Sequence, residues 1–377
     1  MITVDVTTLE RELRALWKSD EGEGSKPVMT RACTLNLIAC APNARAADQM
    51  AETIQSLTAS SPNRTVMVIA DAAAVEPQIE AWVQANCVLA APGVPQVCGE
   101  QITIDARGTA VNQATSLVLS LLLPDVPVVL WVPGPNPLSS PLVARLRGVA
   151  DRLILDSADF SDTTAGLATM ATLSDQLHAQ IHWVGLSDLS WARLTPWREL
   201  VAQFFDTRPL LAHLHRLDQV EIEYIALEPT KEVQPGALLL ASWLAASLGW
   251  VFVGSERTAE ALELRFDRPA VGTPPGKRRS VTMVLRPVVG DQPGVIAAIQ
   301  MRCLDNVRAE FSVERTADPT YAHTQARVDG LATVSRLARL GTLDLANLLG
   351  GELRLLSHDR TFSTALGLAG TITAAIR

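Results

Sequence analysis

The chain has 377 residues, 48% of them hydrophobic, and a net charge of −8 with a pI of about 5.3. Because one hydrophobic core seldom serves so long a chain, its length predicts two domains. The acidic balance disfavours nucleic acids and anionic membranes as partners, since binding to either depends on basic side chains neutralising phosphates. We therefore expect a soluble, cytoplasmic protein.

The amino-terminal segment alternates charges with Leu9, Leu13 and Leu16 at helical spacing, which predicts an amphipathic helix rather than a signal peptide. The longest apolar stretch, residues 116–132, is interrupted by Pro124 and Pro127. A membrane-spanning helix needs about 20 apolar residues. This stretch is therefore predicted to be a helix, a turn and a strand.

Strands and helices are predicted to alternate through the first half of the chain. The predicted strands are 34–40, 66–70, 128–132 and 152–156, and the predicted helices are 43–57, 77–84, 112–123 and 142–148. This order is typical of βαβ units around a mostly parallel sheet. Two further strands, 86–89 and 101–105, flank a turn at 91–93 and are predicted to form an antiparallel pair.

The second half has a different pattern. Its predicted helices are 163–177, 195–205, 236–248, 343–356 and 362–376, and its predicted strands are 262–266, 281–287, 295–304 and 310–314. Successive strands joined by turns indicate an antiparallel sheet. We predict an α/β amino-terminal domain over residues 1–165 and an α+β carboxy-terminal domain over residues 166–377.

The sequence contains no motif typical of catalysis or of nucleotide binding. It has no G-x-G-x-x-G, no complete P-loop and no G-x-S-x-G. The histidine pairs 213/215 and 178/182 have no obvious third or fourth ligand, which zinc requires. The residues alone therefore show no recognisable chemistry, and we predict no cofactor and no metal.

Asp156 and Ser157 follow a predicted parallel strand. Open α/β sheets bind ligands at the carboxyl ends of their strands, so a small anion or a sugar is one interpretation. Capping of the strand-to-helix loop is the other, and Asp and Ser are the residues that such loops need. We favour capping.

Five cysteines, Cys33, Cys40, Cys87, Cys98 and Cys303, show no metal-ligand spacing. Their odd number predicts reduced thiols in the cytoplasm, with no disulfide needed for folding. Cys87 and Cys98 are the pair expected to approach each other, since the predicted turn brings their strands together.

Two tryptophans and two arginines lie close together in the sequence, namely Trp191, Arg193, Trp197 and Arg198. Thr195 and Pro196 are predicted to be the N-cap and first residue of the helix that follows. One interpretation is a cation–π stack that braces the domain junction. The other is a docking surface, because Trp and Arg are enriched at binding hot spots. From the residue types and their spacing alone, we favour the cation–π stack over the docking surface.

Five segments, taken in order, carry a family resemblance. They read VCGEQITI at 97–104, LLLPDVPVVLWVPG at 121–134, DRLILDSADF at 151–160, DLSWARLTPWRELVAQFFD at 188–206 and LLLASWLAASLGW at 238–250. Together they resemble the glucose-6-phosphate dehydrogenase assembly protein OpcA family of cyanobacteria and actinobacteria, and the fourth segment is the most specific.

The resemblance implies a non-catalytic auxiliary protein that binds glucose-6-phosphate dehydrogenase and promotes its assembly or its active oligomer, as an allosteric activator in the oxidative pentose phosphate pathway. It also implies thioredoxin as a further partner, because cyanobacterial members resemble redox-linked activators. The resemblance assigns no regulatory cysteine pair here, although Cys98 falls inside a family-like segment. The alternative function is a sugar- or nucleotide-phosphate enzyme that uses the strand ends near Asp156.

Overall fold

The computed structural model describes residues 4–18, 29–31, 33–88, 96–179, 183–228, 232–269, 278–304, 307–341, 344–355 and 357–376. The strands are β1 Met29–Arg31, β2 Asn36–Ala41, β3 Arg64–Asp71, β4 Gln78–Val88, β5 Gln96–Arg107, β6 Val128–Trp131, β7 Arg152–Leu155, β8 Gly185–Asp188, β9 Gln219–Ala226, β10 Val251–Arg257, β11 Leu262–Pro269, β12 Arg278–Val289, β13 Ile296–Cys303, β14 Ala309–Arg315, β15 Tyr321–Val328 and β16 Val334–Arg339. The helices are α1 Val6–Lys18, α2 Ala44–Leu57, α3 Val111–Leu121, α4 Pro141–Leu146, α5 Thr163–His178, α6 Leu189–Arg193, α7 Thr195–Gln203, α8 Arg208–Leu214, α9 Pro235–Ser247, α10 Leu345–Leu353 and α11 Arg360–Ile376.

The chain forms two compact units that interleave along the sequence. Unit 1 comprises Met1–Asp159, Leu177–Leu189 and Asp344–His358, and unit 2 comprises Phe160–Gln176, Ser190–Leu343 and Asp359–Arg377. The domain boundary predicted between residues 165 and 166 stays a prediction, because compact units group residues by their contacts and do not show which segments fold on their own. None of the helices in the described ranges is long and apolar enough to cross a membrane.

Unit 1 is built on a mostly parallel sheet, which confirms the predicted fold class. Its strand order is β1-β5-β3-β2-β6-β7-β8, with every neighbouring pair parallel, and β4 lies antiparallel along β5. Every residue of β2 and β7 is buried. Continuous burial is typical of parallel strands that are covered on both faces.

The predicted helix at 77–84 is wrong, because these residues belong mostly to strand β4. Gln, Glu and Ala favour a helix locally. However, Ile79 and Val83 alternate with polar or exposed neighbours in the period of two that a strand requires. Register pairing with β5 over the full length of β4 satisfies the backbone and overrides the local preference. The two strands predicted at 86–89 and 101–105 do belong to antiparallel neighbours, β4 and β5, but their register is different. Residues 86–88 pair with 97–99, residues 101–105 pair with 80–84 inside the predicted helix, and residue 89 lies outside the described residues.

The direction in which successive strands are added to the sheet of unit 1 reverses between β2 and β6. From β2 the chain passes through α2 to β3 on one side, and from β6 it passes through α4 to β7 on the other. Because such crossovers are right-handed, α2 and α4 lie on opposite faces of the sheet. The carboxyl ends of β2 and β6 therefore flank a topological switch point, where open α/β sheets bind ligands.

A buried ion pair ties three elements of unit 1 together. The Arg64 guanidinium of β3 contacts the Glu100 carboxylate of β5 at 2.7 Å and the Glu10 carboxylate of α1 at 2.8 Å. It also donates to the carbonyl oxygen of Leu121. Burial opposes the charged form, but the carboxylates of Glu100 and Glu10 outweigh it and raise the pKa of Arg64.

Unit 2 is built on a second sheet with the strand order β10-β11-β12-β9-β13-β14-β15-β16. Among the strands described in this sheet, only β9 and β12 pair in parallel, so the predicted antiparallel character is confirmed. Burial alternates along β9 and β15, as in a sheet with one face packed and one face polar. The sequence did not predict β9, β10, β15 or β16.

Helices α9 and α11 pack together in unit 2, and α9 also contacts β9 and β12. Most of α9 is buried because its sequence is apolar on all sides. Gly370 of α11 lies so close to α5 that an added Cβ would come within 2.6 Å of the Cβ of Ala171. A larger residue at position 370 would separate these helices.

Candidate functional site

The segment with two tryptophans and two arginines folds entirely within unit 2. The Trp191 indole is buried, and its Nε1 donates to the Asp359 carboxylate at 2.9 Å. The ring lies 5.5 Å from that of Phe362 in α11. Asp359 also accepts a hydrogen bond from the backbone nitrogen of Phe362, which caps the start of α11. The indole thus joins α6 to the beginning of α11.

Each tryptophan faces an arginine. The guanidinium carbon of Arg198 lies 3.5 Å from the centroid of the Trp191 ring, and that of Arg315 lies 5.5 Å from the Trp197 ring. Both distances fall within the range of a cation–π contact. Burial lowers the pKa of Arg315, and its side chain donates to the carbonyl oxygens of Ile296 and Pro319. We call Trp191, Trp197, Arg198 and Arg315 the Trp–Arg cluster.

The predicted cap of α7 is wrong. Leu194, in a helical conformation and without a side-chain hydrogen bond, occupies the N-cap position. Thr195 is the first helical residue, and its hydroxyl oxygen instead accepts a hydrogen bond from Arg198 at 2.9 Å. Helix α6 ends one residue before Leu194, so the chain enters α7 already in helical geometry. Thr195 therefore helps to hold the guanidinium that stacks on Trp191.

The cluster contains cation–π contacts of the kind that the bracing interpretation proposed, but all of its residues belong to unit 2, so a brace at the domain junction stays a prediction. Trp191 and Trp197 are only 4% and 2% exposed, so neither indole offers a surface to a partner. Arg193 and Arg198 are half-buried. Any contact with a partner at this site would therefore be made by the accessible parts of the Arg193 and Arg198 side chains.

Asp156 and Ser157 are buried at the carboxyl end of β7 and bond within unit 1. The backbone nitrogen and hydroxyl of Ser157 donate to the Asp188 carboxylate at 2.9 and 2.6 Å. Asp156 accepts a hydrogen bond from the backbone nitrogen of Ala158 at 3.1 Å. These bonds support the capping interpretation, because they use both side chains to shape the loop.

The expectation of five reduced thiols is wrong for one pair. Cys87 and Cys98 face each other across β4 and β5 and form a disulfide. The odd count suggested free thiols, but the antiparallel register brings the two Cα atoms to 4.1 Å. Cys33, Cys40 and Cys303 are in no disulfide among the described residues, and burial raises the pKa of Cys40 to about 12.

The histidine pairs do not assemble into a metal site among the described residues. No group of three or more potential ligands occurs there. His178 lies beside His358, with 2.8 Å between their Nε2 atoms, whereas His182 is outside the described residues. His213 is buried in unit 2, and burial lowers its pKa.

Sequence reasoning missed three partners in these sites, Asp188, Arg315 and Asp359. Each lies at least 31 residues from the side chain that it contacts. Asp359 alone carried a local signal, since it stands three residues before Phe362 at the start of a predicted helix. Only the fold determines the other two pairings.

The fold and these sites define a two-unit α/β protein, with a mostly parallel sheet in one unit and a mostly antiparallel sheet in the other. Two family models match it in chain order. The glucose-6-phosphate dehydrogenase subunit N-terminal domain matches residues 54–172, and the corresponding C-terminal domain matches residues 184–366. The chain belongs to this family, the OpcA family.

Curated relatives carry the same family name. The chain is 31% identical over 157 residues to "Putative OxPP cycle protein OpcA" of Nostoc punctiforme, which covers 41% of the chain and 31% of the relative. It is 32% identical over 174 residues to the protein of that name from Synechococcus elongatus, covering 46% of the chain and 36% of the relative. The chain thus spans about a third of the length of the curated relatives that it matches.

The similar solved structures are distant. One is a mutant of KijD10, a 3-ketoreductase from Actinomadura kijaniata, with 9% identity, a TM-score of 0.49 and coverage of 90% of this chain and 96% of the other. Another is the WlbA dehydrogenase from Chromobacterium violaceum, with 9% identity, a TM-score of 0.38 and coverage of 77% of each chain. Likenesses at this level say nothing about a substrate or a cofactor.

Proposed function

We propose that this chain is a non-catalytic auxiliary protein that binds glucose-6-phosphate dehydrogenase in the cytoplasm and promotes its active oligomer. The observation that carries the proposal is the ordered match of two family models described as parts of a subunit of that dehydrogenase. The pathway in the names of the curated relatives, the OxPP cycle, agrees with it.

An activator of this kind acts by binding the active form of its partner more tightly than the inactive form. Coupling free energies of about 1–3 kcal/mol are typical and change an apparent binding constant by roughly 5–150-fold. We therefore expect activation to saturate with added protein, and to be greatest at low glucose 6-phosphate if substrate affinity changes.

The test is a titration of the purified chain into the cognate dehydrogenase, with NADPH production followed at several substrate concentrations and the mixture sized by chromatography. Co-elution together with saturable activation is the expected result. Unchanged kinetics without co-elution, under both reducing and oxidising conditions, would refute the proposal. Turnover of a sugar phosphate by the chain alone would refute its non-catalytic part.

Within this proposal, the candidate contacts with the dehydrogenase are the half-buried side chains of Arg198, in the Trp–Arg cluster, and of Arg193 beside the cluster. Arg193→Ala and Arg198→Ala are the variants, and Arg339→Ala, an exposed arginine on β16, is the matched control. If the cluster docks, the first two weaken activation and its salt dependence while the control does not. If all three behave alike, the cluster only braces unit 2.

A finer part of the proposal assigns a redox role to the Cys87–Cys98 disulfide. A dithiol reductant such as thioredoxin would reduce it to two thiols and become a disulfide itself. Activation of the dehydrogenase should then differ between oxidised and reduced protein, and Cys87→Ser should abolish the difference. Cys40→Ser, which changes a buried thiol outside the disulfide, is the control.

The alternative, a sugar- or nucleotide-phosphate enzyme acting near Asp156, has less support. The side chain of Asp156 bonds to Ala158 in the same loop, and that of Ser157 bonds to Asp188 at the end of β8. A ligand at this position would have to break those bonds.

A further inference from the structure

A cavity of about 570 Å³ opens at the switch point of the unit 1 sheet. Pro42 lines it directly after β2, and Pro133 and Gly134 line it after β6. Helix α2 supplies Gln49 and Thr53. The volume lies within the range of sites for small molecules, and the position is the one that open α/β sheets use for ligands. We call it the switch-point cavity.

The wall of the switch-point cavity includes a buried tryptophan. Trp131, the last residue of β6, lines the cavity and is 1% exposed. Its indole Nε1 is buried and has no hydrogen-bond partner among the described residues. Trp131 therefore serves as a reporter of the cavity, because the resonance of an indole responds to a molecule that packs against its ring.

The loops around the cavity do not suit a phosphate. Phosphate cradles use successive backbone N–H groups at a glycine-rich turn and a helix start. Here Pro42 and Pro133 have no N–H, and the Asn43 side chain already accepts a hydrogen bond from the nitrogen of Ala46 in the first turn of α2. The backbone nitrogen of Gly134 donates to the Asp159 carboxylate at 3.2 Å.

The charges of the residues that line the cavity also disfavour a phosphate. Glu52 and Asp159 are carboxylates, and no Lys or Arg occurs among the described residues that line the cavity. An anionic ligand would therefore be repelled. Gln49 adds an amide that both donates and accepts hydrogen bonds, and the Thr53 hydroxyl, which donates to the Gln49 backbone carbonyl oxygen at 3.0 Å, can accept one. This set matches the donors and acceptors of a neutral molecule with several hydroxyl groups.

We propose that the switch-point cavity binds a small neutral polyhydroxylated molecule of the sugar or polyol class, and not its phosphate ester. The site is independent of the dehydrogenase-binding proposal, because it depends only on the geometry of unit 1. Its failure would leave the activator proposal intact, and the reverse is also true.

The experiment uses the full chain labelled with ¹⁵N at its indoles. The Nε1–H resonance of Trp131 is assigned with Trp131→Phe, and that of Trp82, exposed on β4, serves as the internal control. The probes are glucose and glucose 6-phosphate, a pair that differs only by the phosphate. Each is added to about 10 mM, well above a millimolar dissociation constant.

Glucose should shift the Trp131 resonance saturably, leave that of Trp82 unchanged and bind about tenfold more tightly than its phosphate ester, the factor that corresponds to 1.4 kcal/mol. Ala46→Leu fills the cavity and should abolish the shift, whereas Ala51→Leu on the same helix, outside the lining, should not. Thr53→Val, which preserves shape and removes a hydroxyl, should weaken binding even if Ala46→Leu folds poorly. No shift with either probe, or tighter binding of the phosphate ester, would overturn the proposal.

Discussion

The sheets of unit 1 and unit 2 place similar ion pairs in different surroundings. Arg64 and Glu100 pair inside unit 1 with side chains only 3% and 0% exposed. Arg302 and Glu310 pair on adjacent strands of unit 2, at 3.0 Å, with side chains 33% and 37% exposed. The first pair lies in a sheet with fully buried strands, and the second in a sheet whose strands alternate between buried and more exposed residues.

This difference determines what each pair contributes to the free energy of unfolding. A buried charge left without its partner is strongly destabilising, whereas an exposed pair gains little because water screens it. It also determines where a ligand or partner can bind. The buried strands of unit 1 leave only their ends and loops available, and the alternating strands of unit 2 also present side chains along their length.

The largest expected effect follows from breaking the buried pair. Glu100→Gln leaves the Arg64 charge with only the partly exposed Glu10, and should lower the free energy of unfolding by about 3–5 kcal/mol. Glu10→Gln should cost less, because Glu100 remains. Urea unfolding followed by circular dichroism measures both. Equal losses for the two variants would show that burial does not distinguish these carboxylates.

A loss of the same order is expected in unit 2 from Trp197→Ala. This indole is buried and faces Arg315, and truncating a buried tryptophan costs about 3–5 kcal/mol. Trp197→Phe keeps an aromatic ring and should cost less. Thermal melts of both variants provide the measurement. A melt of Trp197→Ala within a degree of wild type would contradict the structural role of the cluster.

A smaller effect is expected from reducing the Cys87–Cys98 disulfide. It closes a short loop between β4 and β5 of unit 1, and cross-links of this kind typically contribute about 2–4 kcal/mol. Cys303→Ser changes a thiol of unit 2 outside the disulfide and is the control. Thiol labelling of the denatured, unreduced protein should count three cysteines, with five after reduction. Five thiols before reduction would show that the disulfide does not form.

The smallest effect is expected on the sheet of unit 2. Glu310→Gln removes the exposed partner of Arg302 and should cost only about 0.2–1 kcal/mol, less at high salt. Urea unfolding at low and high ionic strength is the measurement. A decrease in the free energy of unfolding as large as that of Glu100→Gln would show that the two sheets do not differ in what an ion pair contributes.

The fold class could be predicted from the sequence because hydrophobic periodicity is local. The alternation of strands and helices around α2, and the turn-separated strands from β11 to β14, were both visible. The first part of β4, residues 78–84, was mistaken for a helix, because its residues favour a helix and only pairing with β5 decides otherwise. Strands β15 and β16 likewise depend on neighbours for their backbone hydrogen bonds.

In the candidate sites, too, some features follow from the sequence and others only from the tertiary structure. The sequence alone determined that Trp191, Trp197 and Arg198 would lie close together, since they stand within eight positions, and it singled out Cys87 and Cys98 as a pair. Only the tertiary structure decided that Arg198 stacks on Trp191, that Asp188 holds Ser157, and that the ends of β2 and β6 enclose a cavity. Local spacing fixes which side chains share a segment, whereas contacts between distant segments arise from strand order and register, which no short stretch of sequence contains.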